Sequence, residues 1–350
     1  MKTRALKNYD STVGCEVYDI DLNNDKEIIE LGQLVGDQSI VFINQQITTE
    51  RLHNVMNQWG DDSRALIHNY IIEKRIQGRH WREAYLNLGY LTTGLGKMST
   101  AVSRVMYGAD EKSGRPLGMF TEGELGWHCD QSATDDAPRM IGLQSVSDTN
   151  DSQTQFLCTH DAFENLSSDM KSTVKELICK HVWREGDEGL APGLNHKQSV
   201  LIHYNSVPLN GMETKLYAET SSGRPGIKLP ATSFDGFVGM NLEESWKIYN
   251  ELKKAVYQEK YVYTQNWEDG QIVFMDQEIT LHKRPTNIRA GNKRLMHRVI
   301  TYMNKVYPQV QPSAHVRYQG EYLPHDEFAK LVDLARLIEF EQESKDEFAH

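Results

Sequence analysis

The sequence has few cysteines and no long apolar segment. Its four cysteines, spread over 350 residues, include no Cys-x-x-Cys pair, which argues against a disulfide framework and against a zinc ribbon. No apolar run is long enough to span a bilayer, and residues 1–10 lack the apolar core of a secretory signal. These absences predict a cytoplasmic protein without a membrane partner.

Positive charge is also in deficit, because 38 Lys and Arg residues stand against 49 Asp and Glu residues, for a net charge of −11. A surface of this sign repels nucleic-acid phosphates, so we expect a small-molecule partner and no nucleic acid. The hydrophobic fraction of 39% is ordinary for a globular protein with a buried core. The sequence contains no internal repeat or low-complexity linker.

Apolar periodicity predicts a chain rich in strands, with a few helices around them. The predicted strands cover residues 13–22, 39–43, 139–146 and 154–158, and the predicted helices cover residues 28–35, 52–59, 168–178 and 242–256. Thr48 or Thr49 and Asn241 are candidate helix caps. The third and fourth strands are predicted to pair with each other through the polar turn 147–153.

Two segments depart from this pattern. From about 61 to 119, mixed charge, aromatic residues and glycine-rich turns predict an irregular, lid-like insertion; a surface insertion without a role is the alternative. From 307 to 350, prolines precede an amphipathic pattern that begins near Phe328 and predicts a helix. This extension would dock on residues 1–306, which we expect to form one domain, or on a second subunit of a homo-oligomer.

A candidate metal site begins with His128 and Asp130. On an extended segment, two residues that are two positions apart point to the same side. A His-x-Asp triplet alone is weak, since about one is expected by chance in a chain with this many His and acidic residues. His282, which follows an apolar run and a polar turn, is the best third member of a 2-His-1-carboxylate site for Fe(II). Cys129 would point to the opposite face and pack there, with a thiol ligand as the alternative.

Charged side chains accompany the three candidate ligands. Arg294 and Arg298 follow His282, and their even spacing places both guanidinium groups on one face of a strand. A planar guanidinium suits a carboxylate. Glu122 and Glu124 precede the ligand pair and could bind an ammonium or guanidinium group, although solvated side chains are the commoner outcome for acids in a turn.

Over about residues 13–305, the sequence resembles the TauD/TfdA (taurine dioxygenase) family of Fe(II)- and 2-oxoglutarate-dependent oxygenases. Residues 127–130, Trp-His-Cys-Asp, are similar to the family's Trp-His-x-Asp, and residues 294–298, Arg-Leu-Met-His-Arg, are similar to its Arg-x-Met-His-Arg. The resemblance implies a mostly β fold with flanking helices, a cupin-like double-stranded β-helix or jelly roll. It also implies Fe(II), 2-oxoglutarate as cosubstrate, and O₂.

The same resemblance implies roles for individual residues. His128, Asp130 and His282 would hold Fe(II), while Thr154 and Arg294 would bind 2-oxoglutarate. Arg298 would hold an anionic group of the substrate, with a structural ion pair as the alternative. Trp127 and His68 are further substrate candidates, His68 because it lies near the position of a substrate-contacting histidine in the taurine enzyme.

The implied reaction is hydroxylation of an unactivated C–H bond of a small polar metabolite, such as an amino acid, an amine or a small acid, while 2-oxoglutarate becomes succinate and CO₂. Desaturation and ring closure use the same kind of centre and stay open. So does a non-catalytic jelly-roll protein that binds a small molecule or acts as a sensor. A zinc hydrolase would use similar ligands, but it gives no role to Thr154 or to the two arginines.

Overall fold

The computed structural model describes residues 1–63, 90–92, 98–106, 124–130, 137–181, 212–231, 234–285, 294–313, 315–318, 321–324 and 327. The helices in these ranges are α1 (Asp25–Gln38), α2 (Thr49–Trp59), α3 (His160–Glu164), α4 (Ser168–Glu176), α5 (Leu242–Val256) and a short 3₁₀ helix (Glu259–Tyr261). The strands are β1 (Lys2–Ala5), β2 (Cys15–Tyr18), β3 (Ile40–Asn44), β4 (Tyr90–Thr92), β5 (Met98–Met106), β6 (Leu125–His128), β7 (Arg139–Ser147), β8 (Gln153–Cys158), β9 (Ile178–His181), β10 (Met212–Lys215), β11 (Tyr217–Glu219), β12 (Pro225–Ile227), β13 (Phe234–Phe237), β14 (Val262–Asn266), β15 (Gln271–Asp276), β16 (Thr280–Arg284), β17 (Leu295–Tyr302), β18 (His315–Tyr318) and β19 (Glu321–Pro324).

Two facing sheets form the centre of the fold. The main sheet has the order β1-β2-β3-β15-β7-β17-β5-β4, and the second sheet has the order β14-β8-β16-β6. Eight antiparallel strands, β5 to β8 and β14 to β17, are shared between them so that the first, third, sixth and eighth lie in the main sheet and the others in the second. This interleaving is a double-stranded β-helix, and the predicted jelly-roll class is confirmed.

The predicted pairing of residues 139–146 with residues 154–158 is wrong. Both segments are strands, but β7 pairs with β15 and β17 in the main sheet, whereas β8 pairs with β14 and β16 in the second sheet. The turn between them therefore crosses from one sheet to the other. Alternation of apolar residues reports which face of a strand is buried, but it does not identify the neighbouring strand.

Strand alternation separates an inner core from an outer one. Side chains on one face of the main sheet fill the space between the two sheets, and they include Ile40, Phe42, Ile141, Leu143, Val273 and Met275. Side chains on the other face pack against α1 and α2, and they include Val41, Ile43, Met140, Ile272 and Phe274. Trp59 of α2 is fully buried there and donates its indole N–H to the Ile28 carbonyl of α1 at 2.7 Å. The two helices thus cover the outer face of the main sheet.

The helix caps follow the predicted residues. Thr48 accepts the backbone N–H of Arg51 at 3.1 Å and begins α2, and Asn241 accepts the N–H of Glu244 at 2.9 Å and begins α5. Each cap satisfies a backbone donor that the first turn of a helix leaves free. No helix within the described ranges is long and apolar enough to cross a membrane.

A second layer of helices and short strands covers the outer face of the second sheet. It comes from the described residues between β8 and β14, which are 159–181, 212–231 and 234–261, and it contains α3, α4, α5 and β9 to β13. Leu157 and Leu281 of the sheet pack there with Phe237, Tyr249 and Leu252. α4 ends at Glu176, earlier than predicted, because the chain becomes strand β9 from Ile178.

The predictions for the two irregular segments, about 61–119 and 307–350, are partly corrected by the structure. Strands β4 and β5 lie inside the predicted irregular insertion, about 61–119, and residues 102–106 of β5 pair with β17 in the main sheet. The predicted extension 307–350 also joins the body, because β18 pairs with β10. The remainder of the insertion from residue 64, and the predicted helix from residue 328, lie outside the described residues, so their lid and docking roles stay predictions.

Candidate active site

Three side chains with metal-binding atoms meet at the end of the second sheet. His128 is the last residue of β6 and lies directly opposite His282 of β16 in the strand register. Their ring centroids are 4.1 Å apart. Asp130 follows β6 by two residues, and the candidate ligand atoms of all three residues lie within 4.8 Å of one another. The fold therefore brings together the three residues that the sequence predicted as ligands.

Both imidazoles are in the form that a metal ion needs. The Nδ1–H of His128 donates to the Gly126 carbonyl at 2.7 Å, so its Nε2 lone pair faces the site. Burial lowers the pKa of His128, and burial together with the neighbouring His128 ring lowers the pKa of His282 to about 3. At neutral pH the two rings are uncharged and can bind a cation through nitrogen.

Asp130 is held from its backbone and from its carboxylate. Its N–H donates to the side-chain oxygen of Gln277 at 3.0 Å, and Arg298 donates to carboxylate oxygen Oδ2. The other oxygen, Oδ1, lies 3.8 Å from Nε2 of each histidine. Burial acts to raise the pKa of Asp130, but the Arg298 guanidinium and the two histidines outweigh it and hold the pKa below its usual range. One ionised oxygen thus faces the imidazoles while Arg298 binds the other.

These donors open into a cavity between the two sheets. The second sheet and its adjoining loop contribute Leu125, His128, Asp130, Thr154, His282, Lys283 and Arg284 to the wall, and the main sheet contributes Val105, Met106, Ile141, Leu143, Met275, Arg294, Met296 and Arg298. Two neutral imidazoles and one carboxylate, next to space for further ligands, match the donor set of non-haem Fe(II). The apolar wall limits access of water to that centre.

A family model described as "Taurine catabolism dioxygenase TauD, TfdA family" matches residues 2–300. The chain belongs to this family. It is therefore a 2-oxoglutarate-dependent non-haem iron oxygenase that uses Fe(II), 2-oxoglutarate and O₂. No curated protein matches the chain.

Solved structures of TauD-like proteins share the fold of this dioxygenase. A taurine dioxygenase from Burkholderia xenovorans is 17% identical, with a TM-score of 0.59 and 92% coverage of both chains. AAD-2, in complex with Mn(II) and N-oxalylglycine, is 15% identical, with a TM-score of 0.57 and coverage of 86% of this chain and 96% of that chain. At these identities the similarity shows a common fold and leaves the substrate open.

The predicted 2-oxoglutarate residues of this TauD/TfdA protein lie on opposite walls of the cavity. Thr154 is on β8 in the second sheet, and Arg294 directly precedes β17 in the main sheet; both are buried. The Thr154 oxygen accepts the indole N–H of Trp267 at 2.8 Å. Because this bond uses a lone pair, the hydroxyl proton of Thr154 can still donate to an acceptor in the cavity.

Several other predicted residues of the dioxygenase lie away from the described cavity wall. The Trp127 indole stacks on Tyr257, with centroids 6.0 Å apart, on the outer side of the second sheet. Glu124 is exposed and pairs with Lys283 at 2.9 Å. Neither of these predicted substrate residues is part of that wall. His68 and Glu122 lie outside the described residues.

Cys129 occupies the position expected from strand alternation. Its side chain is buried in the core on the outer side of the second sheet, and its thiol donates to the Thr280 carbonyl at 3.2 Å. Burial raises the pKa of the thiol above its usual range, so the sulfur is protonated at neutral pH. The predicted packing role is confirmed.

Three residues around the site of this enzyme were not predicted from the sequence. Gln277 holds the backbone of Asp130, Trp267 holds the hydroxyl of Thr154, and Arg284 lines the cavity. For Arg284 a signal was present, since it follows His282 at the same spacing that links His128 to Asp130. For the other two, the sequence carries no such spacing, because each contact joins residues more than a hundred positions apart.

Proposed function

We propose that this dioxygenase hydroxylates an unactivated C–H bond of a small polar metabolite, such as an amino acid, an amine or a small acid. The proposal assigns Fe(II) to His128, Asp130 and His282. The observation that carries it is the meeting of their three ligand atoms within 4.8 Å, at a cavity that also contains Thr154, Arg294 and Arg298. The overall reaction converts R–H, 2-oxoglutarate and O₂ into R–OH, succinate and CO₂.

In this proposal the chain's own residues position the reactants. Three protein ligands leave part of the iron coordination sphere open for the cosubstrates. The Arg294 guanidinium would bind the far carboxylate of 2-oxoglutarate through paired N–H donors, and the Thr154 hydroxyl would donate to the same group. When bound, Fe(II) supplies the reduction of O₂ that is coupled to decarboxylation of the cosubstrate.

Asp130 and Arg298 favour hydroxylation over halogenation in this proposal. The Asp130 carboxylate would fill the coordination position that a halide needs. Arg298 binds Oδ2, and Oδ1 is the oxygen on the side of the histidines, so a metal ion could bind Oδ1 while the ion pair persists. Arg298 is then a residue that orients Asp130, which supports the ion-pair alternative for it more than a direct role in substrate binding.

The proposal is tested by succinate release from purified protein with Fe(II), ascorbate, 2-oxoglutarate and O₂, with and without a pool of small metabolites. We expect turnover that the pool stimulates and that His128→Ala abolishes. Cys129→Ala is the matched control, since it changes the residue between the ligands whose side chain points the other way; it should keep turnover. Binding of metal and 2-oxoglutarate without succinate under any pool would contradict the proposal and favour a sensor.

The remaining partner assignments stay predictions. The net charge of −11 supports the absence of a nucleic-acid partner. The cytoplasmic location and the absence of a membrane partner are predictions from the sequence. A homo-oligomer formed through the C-terminal helix depends on residues beyond those described.

A further inference from the structure

A buried ion pair near the candidate metal site has no role in the proposed function. Glu278 belongs to the turn between β15 and β16, and Lys228 directly follows β12 in the outer layer; each residue is 4% exposed. The Lys228 ammonium donates to Glu278 oxygen Oε2 at 2.7 Å. The guanidinium group of Arg139, the first residue of β7, lies 3.6 Å from the other carboxylate oxygen, Oε1. Two cations from different parts of the fold thus lie beside one carboxylate.

The turn that carries Glu278 is also bound through its backbone. The N–H of Asp276 donates to the Ser39 carbonyl, and the N–H of Gln277 donates to the Arg139 carbonyl, each at 2.9 Å. These two bonds attach the start of the turn to the main sheet. The ion pair attaches the next residue to the layer that covers the second sheet. It therefore connects that layer to the turn at the residue next to Gln277.

Residues on either side of Glu278 contact the segment that contains Asp130. The Gln277 side-chain oxygen accepts the Asp130 N–H at 3.0 Å, and the Thr280 carbonyl accepts the Cys129 thiol at 3.2 Å. Burial raises the pKa of that thiol, and the nearby Glu278 carboxylate raises it further. A displacement of Glu278 would therefore change how the turn contacts residues 129 and 130.

Stability alone is a weak reason for an ion pair at this depth. A buried pair loses the hydration of both charges, so it is often no more stabilising than a well-packed apolar pair, whereas its directional contacts can fix a single geometry. We propose that the Lys228–Glu278 pair is a positioning element, which holds the turn so that Gln277 orients Asp130 for metal binding. This inference rests on the proposed function, because it takes Asp130 as a metal ligand.

The test measures Mn(II) binding by calorimetry with the full chain in the absence of O₂. Lys228→Met removes the charge, keeps the length of the side chain and leaves Glu278 beside Arg139. Lys228→Arg keeps the positive charge and the N–H donors. Ser245→Ala is the matched control from the same outer layer, because Ser245 is fully buried and its hydroxyl accepts the Phe237 N–H at 3.0 Å.

We expect Lys228→Met to raise the dissociation constant of Mn(II) about 3- to 10-fold, at or below the lower end of the range for residues that orient a metal ligand. Lys228→Arg should restore most of the affinity. Ser245→Ala should lower the melting temperature and leave the affinity unchanged. If the pair acts through Gln277, Lys228→Met should cause little further loss when it is combined with Gln277→Met, since the effects of coupled residues do not add.

Unchanged Mn(II) affinity in folded Lys228→Met, or losses that add fully in the double variant, would overturn the inference. If wild-type protein does not bind Mn(II), or if His128→Ala binds it equally well, the proposed function fails and the inference fails with it. Binding that His128→Ala abolishes and Lys228→Met leaves unchanged refutes the inference alone. Thermal melts show whether Lys228→Met is folded. If it is not, Glu278→Gln, which removes the carboxylate charge and keeps an acceptor oxygen for Lys228, decides in the same titration.

Discussion

Gln277 connects the turn between β15 and β16 to the candidate ligand Asp130, and its replacement tests how Asp130 is positioned. The turn joins β15 to β16, and the carboxylate of Asp276 fixes it by accepting the N–H groups of Glu278 at 2.8 Å and Ile279 at 2.9 Å. The Gln277 side-chain oxygen extends from this turn and accepts the Asp130 N–H at 3.0 Å. We therefore expect Gln277→Met, which keeps the volume but lacks the acceptor, to loosen the carboxylate.

The size of the effect follows from one neutral hydrogen bond. Gln277 is 1% exposed, so its loss leaves the Asp130 N–H without a good replacement, at a cost of about 1–3 kcal/mol for a buried donor. Part of this cost lowers the free energy of unfolding, and part weakens the binding of the metal ion. If about 1 kcal/mol falls on metal binding, the dissociation constant for Mn(II) or Fe(II) rises about fivefold.

The assay is anaerobic titration of the apoprotein with Mn(II), beside thermal unfolding of the same samples. Gln144→Met is the matched control, since Gln144 is also 1% exposed and donates one hydrogen bond, to the Ile47 carbonyl at 2.5 Å, without lining the described cavity wall. It should lower stability and leave metal affinity unchanged. Equal metal affinity for Gln277→Met and wild type, or an equal loss in both variants, would refute the positioning argument.

Three further substitutions test the binding of 2-oxoglutarate, the close packing at Gly60 and the stability of the fold at acid pH. Trp267→Phe removes the N–H that binds the Thr154 hydroxyl, and we expect calorimetry to show several-fold weaker binding of 2-oxoglutarate. An unchanged dissociation constant would mean that this hydrogen bond contributes to folding and not to cosubstrate binding. Gly60→Ala would place a methyl group against the backbone oxygen of Tyr302 in β17, closer than van der Waals contact allows. Chemical denaturation should therefore show a free energy of unfolding lower by about 1–3 kcal/mol, and an unchanged free energy would contradict this. For Asp161, burial raises the pKa, but hydrogen bonds from the hydroxyl groups at positions 11 and 12 outweigh it and lower the pKa below its usual range. This carboxylate therefore stabilises the fold above its unfolded pKa of about 3.9, and the stabilisation disappears as the pH falls through the lower pKa of the folded state. Below about pH 5, a plot of unfolding free energy against pH should be flatter for Asp161→Asn than for wild type. Parallel curves for the two proteins would contradict this.

The helices that cover the main sheet could be predicted because their signals are local. α1 and α2 show apolar residues at helical spacing, and Thr48 supplies a cap within one turn. β5 was missed because the turns around it gave the whole stretch an irregular composition, whereas its pairing with β17 joins residues almost two hundred positions apart. Pairing of this kind depends on the assembled sheet, which a single stretch of sequence does not encode.

The same division applies to the site. His128 and Asp130 follow from strand alternation, and His282 follows from its place after an apolar strand. The contacts that orient them do not, because Gln277 reaches Asp130 only when the turn between β15 and β16 lies beside the end of β6. The residue types that hold a catalytic centre are thus harder to find in a sequence than those that form it.

Lys283 and Arg284 show that strand alternation could have predicted one more residue of the cavity wall. They are adjacent cations that both line the cavity, yet Lys283 is half-buried and pairs with the exposed Glu124, whereas Arg284 is buried. The difference follows from parity, since only Arg284 is an even number of residues from His282 on the same strand. Once a strand residue is assigned as a metal ligand, a neighbouring residue at even spacing on the same strand is a candidate for the same cavity wall. This rule identifies Arg284 from the sequence, in agreement with its place in the cavity wall.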